Sequence, residues 1–353
     1  MTAAANSASR EGERGDRLWP VRVWLYAMAG LVLLMVLVGG ATRLTDSGLS
    51  ITAWKPIAGI VPPLTPADWW TEFQAYQRIP EYELVNKGMG LNEFKAIFWW
   101  EWGHRALGRL IGAAFLVPFL VFLWQRRLSW RLAPALAGLF VLGGLQGALG
   151  WWMVTSGLAE RVDVSQYRLA AHLGAACALF LALVWVARGI RPPAAVSADA
   201  GRWPWVAGAF LALVFVQIVA GAFVAGLDAG LAYNTWPLMD GALVPDGLGF
   251  MDPFWVNLFE NPATAQFDHR MLGYLAAAAA ILIAVIGFRR TGWRGVQAWQ
   301  PAIAGLTIVQ MLLGISTLVM AVPIGLALAH QGTAFVLAGA TVAWLADLRH
   351  VSR

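Results

Sequence analysis

Charge is scarce in this chain. Asp, Glu, Lys and Arg make up 13% of the 353 residues, hydrophobic residues make up 59%, and the mean hydropathy is +0.62. So little charge excludes a water-soluble domain of this length and places most of the chain in lipid. Cysteine is scarcer still. The single Cys177 excludes an intramolecular disulfide or a cysteine-built metal site, and it reads as small core filler inside an apolar run. Clustered aspartates are missing too. Outside the N-terminal tail only Asp199 and Asp347 fall on the basic side of the chain, which excludes a prenyltransferase that holds a Mg²⁺-diphosphate at that face.

Long apolar runs are abundant. Crossing about 30 Å of hydrocarbon takes about 20 helical residues, and such runs occur at 22–43, 97–123, 132–154, 168–188, 204–226, 269–288, 300–321 and 324–345. The expected fold is an all-α membrane protein of eight transmembrane helices. The first run is too long for a signal-peptide core and reads as a retained helix. Placing the N-terminus inside puts 15 of the 25 basic residues on the cytoplasmic side with 5 acidic ones, a net +10. The other side holds 10 basic and 15 acidic residues, a net −5. This is the positive-inside pattern, with both termini cytoplasmic in a bacterial inner membrane. The pI near 9.7 therefore reflects topology, and no basic patch is left for nucleic acid.

The chain repeats itself. Asp46-Ser-Gly-Leu-Ser-Ile-Thr-Ala-Trp54 after the first run resembles Asp228-Ala-Gly-Leu-Ala-Tyr-Asn-Thr-Trp236 after the fifth. The motif H-R-x-L-G-x-L occurs at His104–Leu110 and again at His269–Leu275. Gln146-x-x-x-Gly150 parallels Gln310-x-x-x-Gly314, and His172 parallels His330. The expected architecture is two pseudo-symmetric four-helix bundles of the same orientation, 22–190 and 204–346. A cytoplasmic linker at 191–203 joins them, and polar tails at 1–21 and 347–353 flank them. The segments 44–96 and 227–268 are too long for simple turns and read as site-forming loops on the outer face.

Four of the five histidines fall one each on the second, fourth, sixth and eighth runs, at one membrane level. Intramembrane ionisable residues usually mark function, and imidazole is an axial ligand for haem iron. Pairing within each repeat gives His104 with His172 and His269 with His330, which is two haem sites. Gly108 and Gly273, one turn after the first histidine of each pair, would let a macrocycle approach. Arg105 and Arg270 are candidate propionate partners. A quinol-oxidising cytochrome b carries two histidines on each ligating helix, and no run here has two. The repeats disagree at one informative position: Glu101 precedes His104 by three residues, where Gln266 precedes His269. A carboxylate beside a haem can take a proton or stabilise developing charge. The bland alternative is an anchor at a helix start, where the dipole favours an anion.

These stretches resemble the haem A synthase family, in its proteobacterial and mitochondrial branch. They are GMGLNEFKAIFWWEWGHRALGR (88–109), GGLQGALGWWMVTSGL (143–158), RLAAHLG (168–174), NTWPLMDG (234–241) and FDHRMLGYL (267–275). The resemblance implies oxidation of the C8 methyl of haem O to a formyl group through a hydroxymethyl intermediate, supplying haem A to cytochrome c oxidase. It implies a resident haem b on His269 and His330. Substrate haem O then lies between His104 and His172, with Glu101 as the catalytic carboxylate. The enzyme making haem O and an unidentified electron-transfer partner are implied as well. The loop 44–96 lacks the cysteine pair of the Gram-positive branch. Two rival readings are a di-haem b-type electron carrier and a haem-binding assembly protein without chemistry of its own.

Overall fold

The computed structural model describes residues 2–159, 161–190 and 201–351, with side chains over 17–159, 161–190 and 201–349. Of the expected 191–203 linker, 191–200 therefore lie outside the described residues. The helices in chain order are α1 (Thr2–Leu44), α2 (Pro66–Tyr76), α3 (Pro80–Leu84), α4 (Leu91–Trp124), α5 (Leu132–Val154), α6 (Gln166–Ile190), α7 (Trp203–Gly226), α8 (Asn257–Glu260), α9 (Pro262–Thr291), α10 (Trp299–Val319) and α11 (Ile324–Val351). Eight of them, all but α2, α3 and α8, are long and apolar enough to cross a membrane, as the sequence predicts. The protein is an all-α, multi-pass membrane protein.

Two of the spans that begin well before their apolar runs, α4 and α9, do so for identifiable reasons. α4 starts at Leu91 because the Glu93 carboxylate accepts from the Gly90 N–H, satisfying a helix-start donor outside the hydrophobic stretch. α9 starts at Pro262 because the Asn261 side chain caps the Ala263 and Thr264 N–H groups, with proline at the first helical position. It ends at Gly292, whose φ of 60° is left-handed backbone that glycine adopts freely.

Among the first four spans, α1 packs on α4 and α6, and α5 joins α4 to α6. Among the last four, α7 packs on α9 and α11, and α10 joins α9 to α11. The two sets meet where α6 touches α7 and α11 and where α1 touches α11. Leu25, Met28, Leu183, Phe335 and Trp344 fill the shared core. Lipid is as apolar as that core, so packing, and not water exclusion, holds these helices together.

Ionic contacts fasten the set at both ends. At the end near the termini, Arg188 donates from Nε and Nη2 to Asp347 (2.5 and 2.6 Å), and Trp299 Nε1 donates to the same carboxylate at 2.9 Å. Asp347 is thereby occupied as a structural partner between α6 and α11. At the opposite end, Arg43 bonds Asp46 (3.0 Å) and Asp228 (2.9 Å), the leading residues of the two D-x-G-L motifs. Both aspartates are left-handed, with φ of 46° and 49°, so the sequence echo is also a backbone echo.

The two long loops are built differently. The first, with α2 and α3, forms an aromatic layer in which Tyr76, Phe73, Phe94 and Phe98 pack on Leu49, Ile51, Val154 and Val164. Thr65 and Asp68 close a capping box that starts α2. The second is held by amides. Buried Asn257 donates to the Met251 and Phe254 carbonyls, and buried Asn261 donates to that of Gly247.

Candidate functional site

The four histidines lie at one level beneath these loops. Each ring rests on a glycine of the preceding span. A Cβ built at Gly39 would stand 3.0 Å from His104 Cε1, at Gly150 3.3 Å from His172 Cε1, at Gly221 3.0 Å from His269 Cε1, and at Gly314 2.7 Å from His330 Cε1. Any side chain there would push the ring away. These glycines stand four or five residues before the ends of α1, α5, α7 and α10 at Leu44, Val154, Gly226 and Val319, which is about 6–8 Å of helix. Gly108 and Gly273, expected to open the wall, sit against the Met35 Cε and Gln217 Nε2 atoms.

Three of the histidines also meet a glutamine one turn before their glycine. Gln217 Nε2 donates to the His269 carbonyl at 2.9 Å and lies 3.5 Å from its Nε2. Gln310 Nε2 lies 3.1 Å from His330 Nδ1, which also stands 3.1 Å from the Gln310 carbonyl. The Gln146 amide, with its nitrogen turned toward the acceptors, donates to the His172 carbonyl at 3.2 Å and stands 3.2 Å from its Nδ1. Gln217-x-x-x-Gly221 was legible in the sequence as a third copy of the glutamine motif, and only the structure shows which ring it serves.

His269 and His330 face each other edge to face, with ring centroids 6.3 Å apart. An imidazole–metal bond is about 2 Å long, so a separation of this size has room for one iron between two rings. His330 Nδ1, donating to the Gln310 carbonyl, would leave Nε2 free as a ligand. Around this pair His269 Nδ1, Arg270 Nε and Arg270 Nη1 are buried without a hydrogen-bond partner. Two rings at ligand spacing beside an arginine with unspent donors fit an iron porphyrin bearing carboxylates. Among the described residues no three His, Cys, Asp or Glu side chains converge on a bare metal ion, whereas a porphyrin asks the protein for axial ligands only. His104 and His172 are within electrostatic reach of each other.

Glu101 is 3% exposed. Its Oε2 accepts from the Ile51 N–H (2.6 Å) and the Ser50 hydroxyl (2.8 Å), and its Oε1 pairs with Arg105. The helix-start anchor does not describe it, because α4 begins at Leu91 and Glu101 lies well inside the helix. Gln266, at the matching place, is 2% exposed and works with the opposite polarity. Its Nε2 donates to the Ala229 (2.7 Å) and Tyr233 (3.2 Å) carbonyls, and its Oε1 accepts from Arg270 (3.2 Å). Both side chains therefore pin the loop that follows the preceding span, and only one of them is an acid. Arg105 spends its terminal nitrogens on Glu101 and on the Ala53 and Ile51 carbonyls, at 3.0 and 2.9 Å.

A second buried carboxyl escaped the sequence reading. Glu81, in α3, is 4% exposed, and its Oε2 has no hydrogen-bond partner. Burial, then the negative charges of Asp46, Asp163 and Glu101, push its pKa up to about 8. No local motif announces it, because the loop fold alone brings Glu81 toward the site.

Fold and site together define a membrane-embedded helical protein with a layer of four partly buried histidines, two of them, His269 and His330, at a spacing that fits porphyrin ligation. Its sequence matches the cytochrome oxidase assembly protein family over residues 22–342. It is 54% identical to a "Heme A synthase" of Azorhizobium caulinodans over 334 residues, 94% of this chain and 93% of that one. It is also 54% identical to a protein of the same name from Chelativorans sp. over 342 residues (95% and 93%), and 50% identical to one from Rhizobium meliloti over 323 residues (92% and 88%). The chain belongs to the cytochrome oxidase assembly protein family.

Proposed function

We propose that this protein is a haem A synthase, which oxidises the C8 methyl of haem O to a formyl group through a hydroxymethyl intermediate. The observation that carries the reading is Glu101. It is a buried carboxylate one helical turn before His104, on a chain matching relatives of that name along almost its whole length. An electron carrier or a passive haem-binding protein has no need of such an acid. Substrate haem O is assigned to the first four spans between His104 and His172, and a resident haem b to the last four on His269 and His330. These sets, 22–190 and 204–346, are read as parallel pseudo-symmetric halves, supported by the matching order of helix packing and the matching glycine under each ring.

Bound haem b would supply one-electron redox chemistry. The chain's own residues bind, orient and handle protons. Ser50, Ile51 and Arg105 fix the Glu101 carboxylate, filling both acceptor sites of Oε2 and one of Oε1, so that the one site left on Oε1 has a fixed orientation. Oxidising a methyl to a formyl carbon adds one oxygen atom and removes four electrons in two two-electron steps. With water as the oxygen source each step releases two protons and passes two electrons to the electron-transfer partner, and Glu101 takes up a proton or balances charge as the carbon is oxidised. Arg270 keeps Nε and Nη1 buried without a partner and so open to a propionate, whereas Arg105 already spends three of its five donors on Glu101, Ala53 and Ile51. The charge split supports an inner-membrane location with both termini cytoplasmic. Substrate supply implies work beside the enzyme that makes haem O and with an electron-transfer partner.

Haem extraction tests the reading. Cells expressing the protein and supplied with haem O should yield the hydroxymethyl and formyl haems. Membranes holding folded protein and haem O but neither product would overturn it.

A further inference from the structure

Each histidine rests on a glycine, and one turn before that glycine stands the residue that reaches the histidine's own helix. In three cases this residue is Gln146, Gln217 or Gln310. In the fourth, ahead of Gly39, it is Met35. The register is the same: Met35 Cε lies 3.4 Å from a Cβ built at Gly108, as Gln217 Nε2 lies 3.3 Å from one built at Gly273. His104 is therefore the histidine whose partner in this register has no hydrogen-bond donor. We propose that Met35 makes His104 the releasable ligand of the layer, the side on which a haem in the first four spans is let in and let go.

The physical basis is preorganisation. A glutamine that donates to a histidine's backbone carbonyl and rests its amide against the ring limits how the imidazole can turn before iron arrives, and outer partners that orient ligating histidines are typically worth 10–100-fold in metal affinity. A methionine side chain is flexible and offers dispersion only, so the ring must be ordered at the moment of ligation. A resident cofactor is served by anchored rings on both sides. A substrate that must leave as product is better served by one anchored ring, His172 on Gln146, and one free to swing. This inference rests on the assignment of substrate haem to the first four spans.

The test is haem exchange in the purified full-length protein, with haemin as the loaded haem and apomyoglobin as the acceptor. In Met35→Gln the faster-leaving haem should dissociate about ten times more slowly than in wild type, and the reduced spectrum of the slowly exchanging haem should be unchanged. Met35→Leu, apolar and without a donor, should exchange as wild type does. The reciprocal Gln217→Met should speed loss of the slowly exchanging haem about tenfold or more. Wild-type exchange rates in folded Met35→Gln would overturn the proposal, and so would equal slowing in Met35→Leu. If Met35→Gln does not accumulate, Gln217→Met decides, and unchanged retention there overturns it. Exchange is read without turnover, so a wild type that makes no haem A sinks the functional reading separately.

Discussion

The first four spans and the last four carry the same parts in the same places: a left-handed aspartate after the first helix, a histidine over a glycine, and an arginine one residue after that histidine. They differ in polar detail. Where the first set has Glu101 accepting from a backbone N–H, the last has Gln266 donating to carbonyls. Where the last set has Gln217 on His269, the first has Met35. The loop over the first set is an aromatic layer and the loop over the last is an amide network. Two sets of spans built from the same parts thus differ in a few buried polar groups, each costly to misplace in lipid, and the proposed division into a haem-binding and a reacting half rests on those differences.

The sharpest way to break the comparison is topology, an all-or-none outcome. Reporter fusions at 75 and 245 should lie on one side of the membrane and at 195 on the other. Loops 75 and 245 on opposite sides would end the parallel arrangement. Next in size is ligand removal. His269→Ala or His330→Ala should strip the resident b-type haem, seen in the reduced spectrum, while His104→Ala keeps it, and the reverse pattern would exchange the roles of the two sets.

The acid then tests the difference itself. Glu101→Gln should lower haem A formation about 10²–10⁴-fold, measured by extraction, with resident haem retained. Undiminished product would leave Glu101 as a loop anchor only. The reciprocal Gln266→Glu should create no second oxidising site. It should also lower protein stability, because its donor faces two buried carbonyls and an unmet buried group costs about 1–3 kcal/mol.

The smallest effect concerns Glu81. Its folded-state pKa is raised from 4.5 to about 8, so between those values the folded chain holds a proton that the unfolded chain releases. Stability contributed at this site therefore falls as pH rises through that window. Glu81→Gln should flatten the apparent Tm between about pH 5 and 8, and an unchanged pH profile would show the carboxyl to be solvated.

Composition and hydropathy were enough for the class and the eight spans, because a membrane imposes length and apolarity on every crossing segment whatever it packs against. Pattern was enough for the four histidines and for Glu101 against Gln266, because the repeat supplies an internal reference. The starts of α4 and α9 were not legible in apolar runs, since Gly90–Glu93 and Asn261 extend those helices through polar turns that hydropathy does not register. Tertiary structure alone decided that the rings rest on Gly39, Gly150, Gly221 and Gly314, that Ser50 and Ile51 hold Glu101, that Arg43 ties Asp46 to Asp228, and that Glu81 is buried. Sequence fixes periodicity along one helix. Which residue of another helix fills the space beside a ring depends on how the helices are set against one another, and no single segment carries that information.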